Sequence, residues 1–171
     1  MTGDLGAQSL RYSHAVRVRA PNQAVWQEIE TIDLILAKIE EVRQSVIDDR
    51  HQSARIRAHM AWGPFARTVD GTARILEMHK PQGLTFTLQV QIPNIVETGR
   101  LELSEVASEE TNLRFETDVR FGRLSKTVRN VVDDALEAHN RGFVETVATM
   151  AERHWLAHQR LQGRDGIAEH P

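Results

Sequence analysis

Between Glu41 and Phe121 apolar and polar residues alternate with a period of two, run after run; past Ser125 the apolar spacing changes to three and four. Few architectures accept that order. Period two sends successive side chains to opposite faces of a strand, whereas a period near 3.6 gathers them on one side of a helix. Leu84, Phe86, Leu88 and Val90 alternate with Thr85, Thr87, Gln89 and Gln91. Ala54, Ile56, Ala58 and Met60 alternate with Arg55, Arg57 and His59. Leu113, Phe115, Thr117, Val119 and Phe121 alternate with Arg114, Glu116, Asp118 and Arg120, and further strand-like runs cover 66–78 and 97–106. Asp48-Asp49-Arg50, Gly63-Pro64, Lys80-Pro81-Gln82-Gly83, Pro93-Asn94 and Ser108-Glu109-Glu110-Thr111 punctuate the runs as turns. Strands with one apolar face and short connections predict an antiparallel meander with one solvated side.

The flanks fit around that meander. Tyr12, His14, Val16 and Val18 share one face of a first strand, and Ser13, Ala15, Arg17 and Arg19 share the other. Pro21 opens a short helix with Ala24, Val25, Trp26 and Ile29 on its apolar side. Thr31 is placed to cap a second one carrying Ile32, Leu34, Ile35 and Ile39, and Val42 and Val46 lead on to the first turn. Ser125 caps the long helix, whose stripe runs Val128, Val131, Val132, Ala135, Leu136, His139, Phe143, Val147 and Met150. Gly163 is its expected stop, and Gly142 is a candidate bend or close-approach site. Such a helix is too long for a globule of this size, so its turns beyond about Glu152, with Trp155 and Leu156, are expected to overhang the core and meet a second copy. Residues 1–9 and 162–171 are expected to be flexible tails around one domain, residues 10–161.

Strand, two short helices, about six hairpin-linked strands and a long amphipathic helix: this order resembles the α+β helix-grip fold of the START-like (SRPBCC) superfamily. The resemblance is carried by Ala20-Pro21-Asn22-Gln23-Ala24-Val25-Trp26, by AHMAWGPF at 58–65 running on to Gly71-Thr72-Ala73-Arg74-Ile75, and by Leu113-Arg114-Phe115 before the final helix. It spans residues 10–158 and lies nearest the carbon monoxide dehydrogenase G-like and polyketide cyclase/dehydrase-like branches. The segment 28–37 (EIETIDLILA) departs from it, lacking the Asp-Pro or Trp-Pro that often joins the two small helices. The resemblance implies a curved sheet of about seven strands gripping the long helix, with an apolar cavity between them. Members include lipid-transfer domains, pollen allergens, polyketide cyclases and ubiquinone-binding proteins, so fold alone does not fix the chemistry.

The concave-face candidates are Met60, Trp62, Phe65, Phe86, Leu88, Phe115 and Thr117 from strands, and Val132, Leu136, His139 and Phe143 from the helix. Without a ligand the same residues make an ordinary core. His139 is one polar residue within an apolar stripe. It can orient a ligand hydroxyl or carbonyl, act as a general base, or be satisfied by a strand group such as Thr117. His14 invites the same choice on its strand. His154 and His158 stand four apart but lack a third ligand at a matching interval, and solvated helix surface accounts for them. Arg17 and Arg19 are expected to meet Glu116 and Asp118 across neighbouring strands, while Arg55, Arg57 and His59 form a solvated row. Paired carboxylates stand only in turns and on solvated faces, and no phosphate loop or nucleophile motif occurs.

The chain has 171 residues and no cysteine, which removes disulfides, zinc knuckles and thiol nucleophiles. A net charge of -3 argues against general nucleic-acid binding. No apolar run approaches the roughly 18 residues of a membrane span, and residues 1–8 lack the pattern of a signal peptide. The expectation is a cytoplasmic protein without metal or cofactor that binds or carries a hydrophobic or amphipathic molecule, whether lipid, polyketide or quinone-like. Two other readings stand beside it. One is an aromatase/cyclase-like enzyme using the same cavity, with His139 as acid or base. The other is an interaction module whose cavity is filled by its own side chains.

Overall fold

The computed structural model describes residues 8–62, 65–91, 94–122 and 125–165. The expected turn residues Gly63, Pro64 and Pro93, and most of the two expected tails, lie outside them. Strand β1 (Gln8–Val18) is followed by helices α1 (Asn22–Trp26) and α2 (Ile32–Leu36). Six more strands come next: β2 (Val42–Ile47), β3 (Ser53–Trp62), β4 (Phe65–His79), β5 (Gly83–Val90), β6 (Ile95–Ala107) and β7 (Glu110–Phe121). Helix α3 (Lys126–Asp165) ends the chain. The seven strands form one antiparallel sheet in the order β1-β7-β6-β5-β4-β3-β2. Each hairpin pairs with the next, and β1 closes on β7 because the intervening helices carry the chain across. No helix among the described residues is long and apolar enough to cross a membrane.

Burial follows the alternation strand by strand. In β7 Leu113, Phe115, Thr117, Val119 and Phe121 are buried while Arg114 and Arg120 are exposed. Strand β2 departs from it. A register shift between Val42 and Gln44 inserts a residue, so Val42 is half-buried but Val46 is turned out, 60% exposed, and Ile47 takes the inner side. One added residue flips every side chain beyond it. The charges of β1 also find partners other than those expected. Antiparallel register sets Arg11 opposite Asp118, which it meets at 2.9 Å. Arg17 pairs with Glu110 and Arg19 with Glu152 of α3.

The short helices are plugs. Val25, Trp26, Ile29, Ile32 and Ile35 are fully buried under the sheet and α3. Each side chain of that size contributes roughly 1.5–3 kcal/mol by leaving water. Thr31 precedes α2 without making a side-chain capping bond. Glu28, within the departing 28–37 segment, is buried and meets Lys38 at 3.2 Å and His154 of α3 at 2.5 Å. Lys38 also donates to the carbonyls of Glu28 and Leu34. His154 lies on the exposed helix surface as expected, and in addition its ring answers a buried carboxylate.

Helix α3 starts as expected, with the Ser125 hydroxyl accepting from the Val128 amide. It runs through Gly163 to Asp165, because one glycine costs a helix only about 1 kcal/mol against Ala. Ala151 is fully buried, and Trp155 packs against the core beside Ala24 of α1. The overhang therefore begins after Trp155 rather than at Glu152, with Leu156 and Leu161 exposed.

Candidate functional site

A cavity of about 350 Å³ lies between the middle of α3 and the β2–β3 half of the sheet. Its deep wall is Ala58, Val90, Ile95 and Glu97 from the sheet and Leu136 and Phe143 from the helix, all buried. Glu40, Ala61, Ala138 and Gly142 are exposed and mark its mouth. The helix side of that mouth is made of small residues, Ala135, Ala138 and Gly142, and a Cβ on Gly142 would meet open space. Gly142 thus leaves room for the cavity; it is not a point of close approach. A wider furrow of 690 Å³ crosses strands β4 to β7, but its walls carry Glu77, Arg100, Glu102 and Arg114, so it is a solvated surface.

Of the concave-face candidates, Met60, Leu88, Leu136, His139 and Phe143 line this cavity. Phe86, Phe115 and Val132 do not. A Cβ on Gly99 would lie 2.7 Å from the Phe86 ring and 2.8 Å from that of Phe115. Only glycine lets those rings settle onto the strand, where they stack 6.1 Å apart. Phe143 closes over them, 5.1 Å from Phe115 and 6.3 Å from Phe86. This aromatic block fills one half of the grip and leaves the space in the other. Val132 packs with Val119, Phe121 and Leu136 in a second apolar cluster. Thr117 reaches the cavity only through Glu97, to whose Oε1 its hydroxyl donates at 3.0 Å. The side chains of Trp62 and Phe65 lie outside the described residues.

The polar end of the cavity was not legible as a cluster. His139 is satisfied by Glu41, Nδ1 to Oε2 at 2.8 Å, and not by Thr117. Burial pulls the imidazole pKa down, but the Glu41 hydrogen bond and the charges of Glu97, Glu41 and Glu40 outweigh it, so the group is held above its ordinary value. Burial pushes the Glu41 carboxyl up, yet the hydrogen bond and charge of His139 hold it below the usual range. The two shifts are opposed and each favours the charged partner, an ion pair held at 2.8 Å. Glu97 goes the other way. Burial raises it by more than the His139 charge and the Thr117 hydroxyl lower it, and the charge of Glu41 adds to the rise. Parity was the available signal for Glu97: Ile95, Glu97, Gly99, Leu101 and Leu103 alternate on one buried face of β6. Glu41 carries no such mark, since it precedes β2 in a connection.

Two more inward polar groups stand apart from the cavity wall. Neither side-chain polar atom of fully buried Asn140, nor Nε2 of His14, has a hydrogen-bond partner among the described residues. Tyr12 donates to Asp133 at 2.6 Å, and burial together with that carboxylate raises its phenol pKa.

No family model matches the chain, and no curated protein matches it in sequence. Solved structures do. A conserved protein from Geobacillus kaustophilus is similar with a TM-score of 0.69 at 10% identity, over 84% of this chain and 96% of that one. The Zhui aromatase/cyclase of Streptomyces sp. R1128 is similar with a TM-score of 0.67 at 15% identity, over 85% and 95%. Thalictrum norcoclaurine synthase, solved with a transition-state analogue, is similar with a TM-score of 0.65 at 7% identity, over 88% and 99%. Likeness at such identities is likeness of fold, and the fold of this chain is the α+β helix grip, an antiparallel seven-stranded sheet around a long C-terminal helix.

Proposed function

We propose that this protein binds or carries a hydrophobic or amphipathic small molecule between its sheet and α3. The observation that carries the reading is the 350 Å³ cavity, apolar on most sides and polar at Glu41, Glu97 and His139. Small-molecule sites span roughly 300–1,000 Å³ and combine apolar walls with a few placed polar groups. That volume favours a ligand over an interaction module with a filled cavity. The second reading is an aromatase/cyclase-like enzyme in the same space. It is favoured by one specific observation, the carboxyl of Glu97 and the His139–Glu41 pair, with pKa values pushed apart, on one cavity.

Leu136→Trp tests the binding reading. Indole placed in an open cavity excludes a lipophilic dye while the protein stays folded. Equal dye binding by the folded variant and the wild type would sink it. Native mass spectrometry of freshly purified protein then gives the mass of any co-purified molecule.

A further inference from the structure

We infer that the polar end of the cavity is a subsite for hydrogen-bond acceptors, in which Glu97 and His139 donate to the oxygen of a neutral, apolar carbonyl compound. This rests on the reading that the cavity holds a ligand, and it names the ligand's chemistry.

On each of Glu97 and His139 one polar atom is already engaged. Thr117 occupies Oε1 of Glu97 and Glu41 occupies Nδ1 of His139. Oε2 of Glu97 and Nε2 of His139 have no protein hydrogen-bond partner among the described residues, and both side chains line the cavity. An imidazolium has a hydrogen on each ring nitrogen, so with Nδ1 turned to Glu41 the Nε2 hydrogen is free to donate. A buried carboxyl that accepts a hydroxyl hydrogen on one oxygen and is neutral carries its own proton on the other, again as a donor. Between them Glu97 and His139 present two donors, which select an oxygen lone pair, while the carboxylates of Glu40 and Glu41 stand in the α2–β2 link.

Charge narrows the choice further. The charged groups lining the cavity are Glu40, Glu41, Glu97 and His139, with no Lys or Arg among its described residues. A ligand carboxylate would face three acidic side chains and a single cation already paired. A ligand ammonium would face that cation, with the Glu41 carboxylate already paired to it, and would find an unpaired carboxylate only at the exposed Glu40. A neutral carbonyl suffers neither penalty, and the remaining wall of Met60, Leu88, Val90, Ile95 and Phe143 suits an apolar body.

Calorimetric titration with four probes of one size tests this: acetylnaphthalene, ethylnaphthalene, naphthoate and naphthylmethylamine. Acetylnaphthalene is expected to bind about tenfold more tightly than ethylnaphthalene, the worth of one or two net hydrogen bonds. Naphthoate and the amine should bind more weakly than the ketone. Glu97→Met should shrink the ketone's margin over the hydrocarbon, leaving only the His139 donor. Glu97→Gln, whose amide still donates, should keep the preference. The wild-type preference should fade as rising pH deprotonates Glu97, with His139 of α3 and Glu40 and Glu41 of the α2–β2 link the titratable groups facing it. Equal affinity for ketone and hydrocarbon would overturn the subsite and leave the ligand reading intact. So would tightest binding of the amine or of naphthoate, or a ketone preference undiminished by Glu97→Met. If none of the four binds, the ligand reading falls and the subsite with it.

Discussion

A carboxyl at Glu97 occupies a strand position whose parity belongs to the core, and its raised pKa makes folding sensitive to pH. The folded group holds its proton to higher pH than the unfolded chain, whose glutamates titrate near 4.3. A destabilising contribution therefore develops as pH rises above that value and is complete above the folded pKa. His139 has the same sign: its raised pKa stabilises fully below the unfolded value of about 6.5, and the contribution is lost as pH rises through the folded one. Glu41, held low, acts oppositely and loses its contribution only as pH falls through its folded pKa. Wild-type stability in urea is thus expected to fall as pH rises above about 4.3 through Glu97, and further above about 6.5 through His139. Glu97→Gln should flatten part of that fall and be more stable than wild type at the alkaline end, on the order of 1–2 kcal/mol. A wild-type profile that is flat, or that rises, would contradict the assignment. Asn140 offers a second measurement. Fully buried without a partner among the described residues, it leaves two polar groups uncompensated there. Asn140→Leu keeps the number of heavy atoms and should stabilise by about 1–2 kcal/mol, read as a higher urea midpoint at an unchanged slope.

At the level of elements, α3 sets the depth of the cavity through what it lacks. Ala135, Ala138 and Gly142 withhold side chains where the stripe passes the mouth. Gly142→Ala places a methyl in open space within a helix interior, so thermal unfolding should shift upward by the equivalent of about 1 kcal/mol. Gly142→Leu should fold as well but weaken dye binding by narrowing the mouth. The alternation of β3, β5 and β7 was legible because parity and burial coincide there. The inner side of β2 was not, since a bulge at Arg43 reverses parity without any residue that announces it. Likewise Phe86 and Phe115 have the parity of cavity walls. Only the bare Cα of Gly99 across the register allows them to stack into a plug, and that contact joins β5, β6 and β7. Which half of the grip is hollow is thus a property of three strands together.

Over the whole molecule, α3 of 40 residues extends about 60 Å at 1.5 Å per residue and is tied to the β1 side of the sheet at two points. Tyr12 holds it at Asp133, and Arg19 at Glu152. A chain ending at Ala151 loses the contacts of Glu152, His154 and Trp155 and should lose about 2–4 kcal/mol in urea, while one ending at Leu161 should keep wild-type stability. Sedimentation of full-length protein and of a Leu156→Gln, Leu161→Gln variant tests whether the exposed turns meet a second copy; a monomer in both cases would end that proposal. The division of the grip into an aromatic plug and a hollow has a consequence over evolutionary time. The side chains that hold the fold, Phe86, Phe115, Trp26 and the α1–α2 isoleucines, are largely distinct from those that would touch a guest at the mouth, Met60, Leu88 and Ala138. Descendants can exchange one guest for another by drift at the mouth while selection for a folded chain acts elsewhere. Sequence identity between such lineages can then decay far below recognition while the scaffold endures.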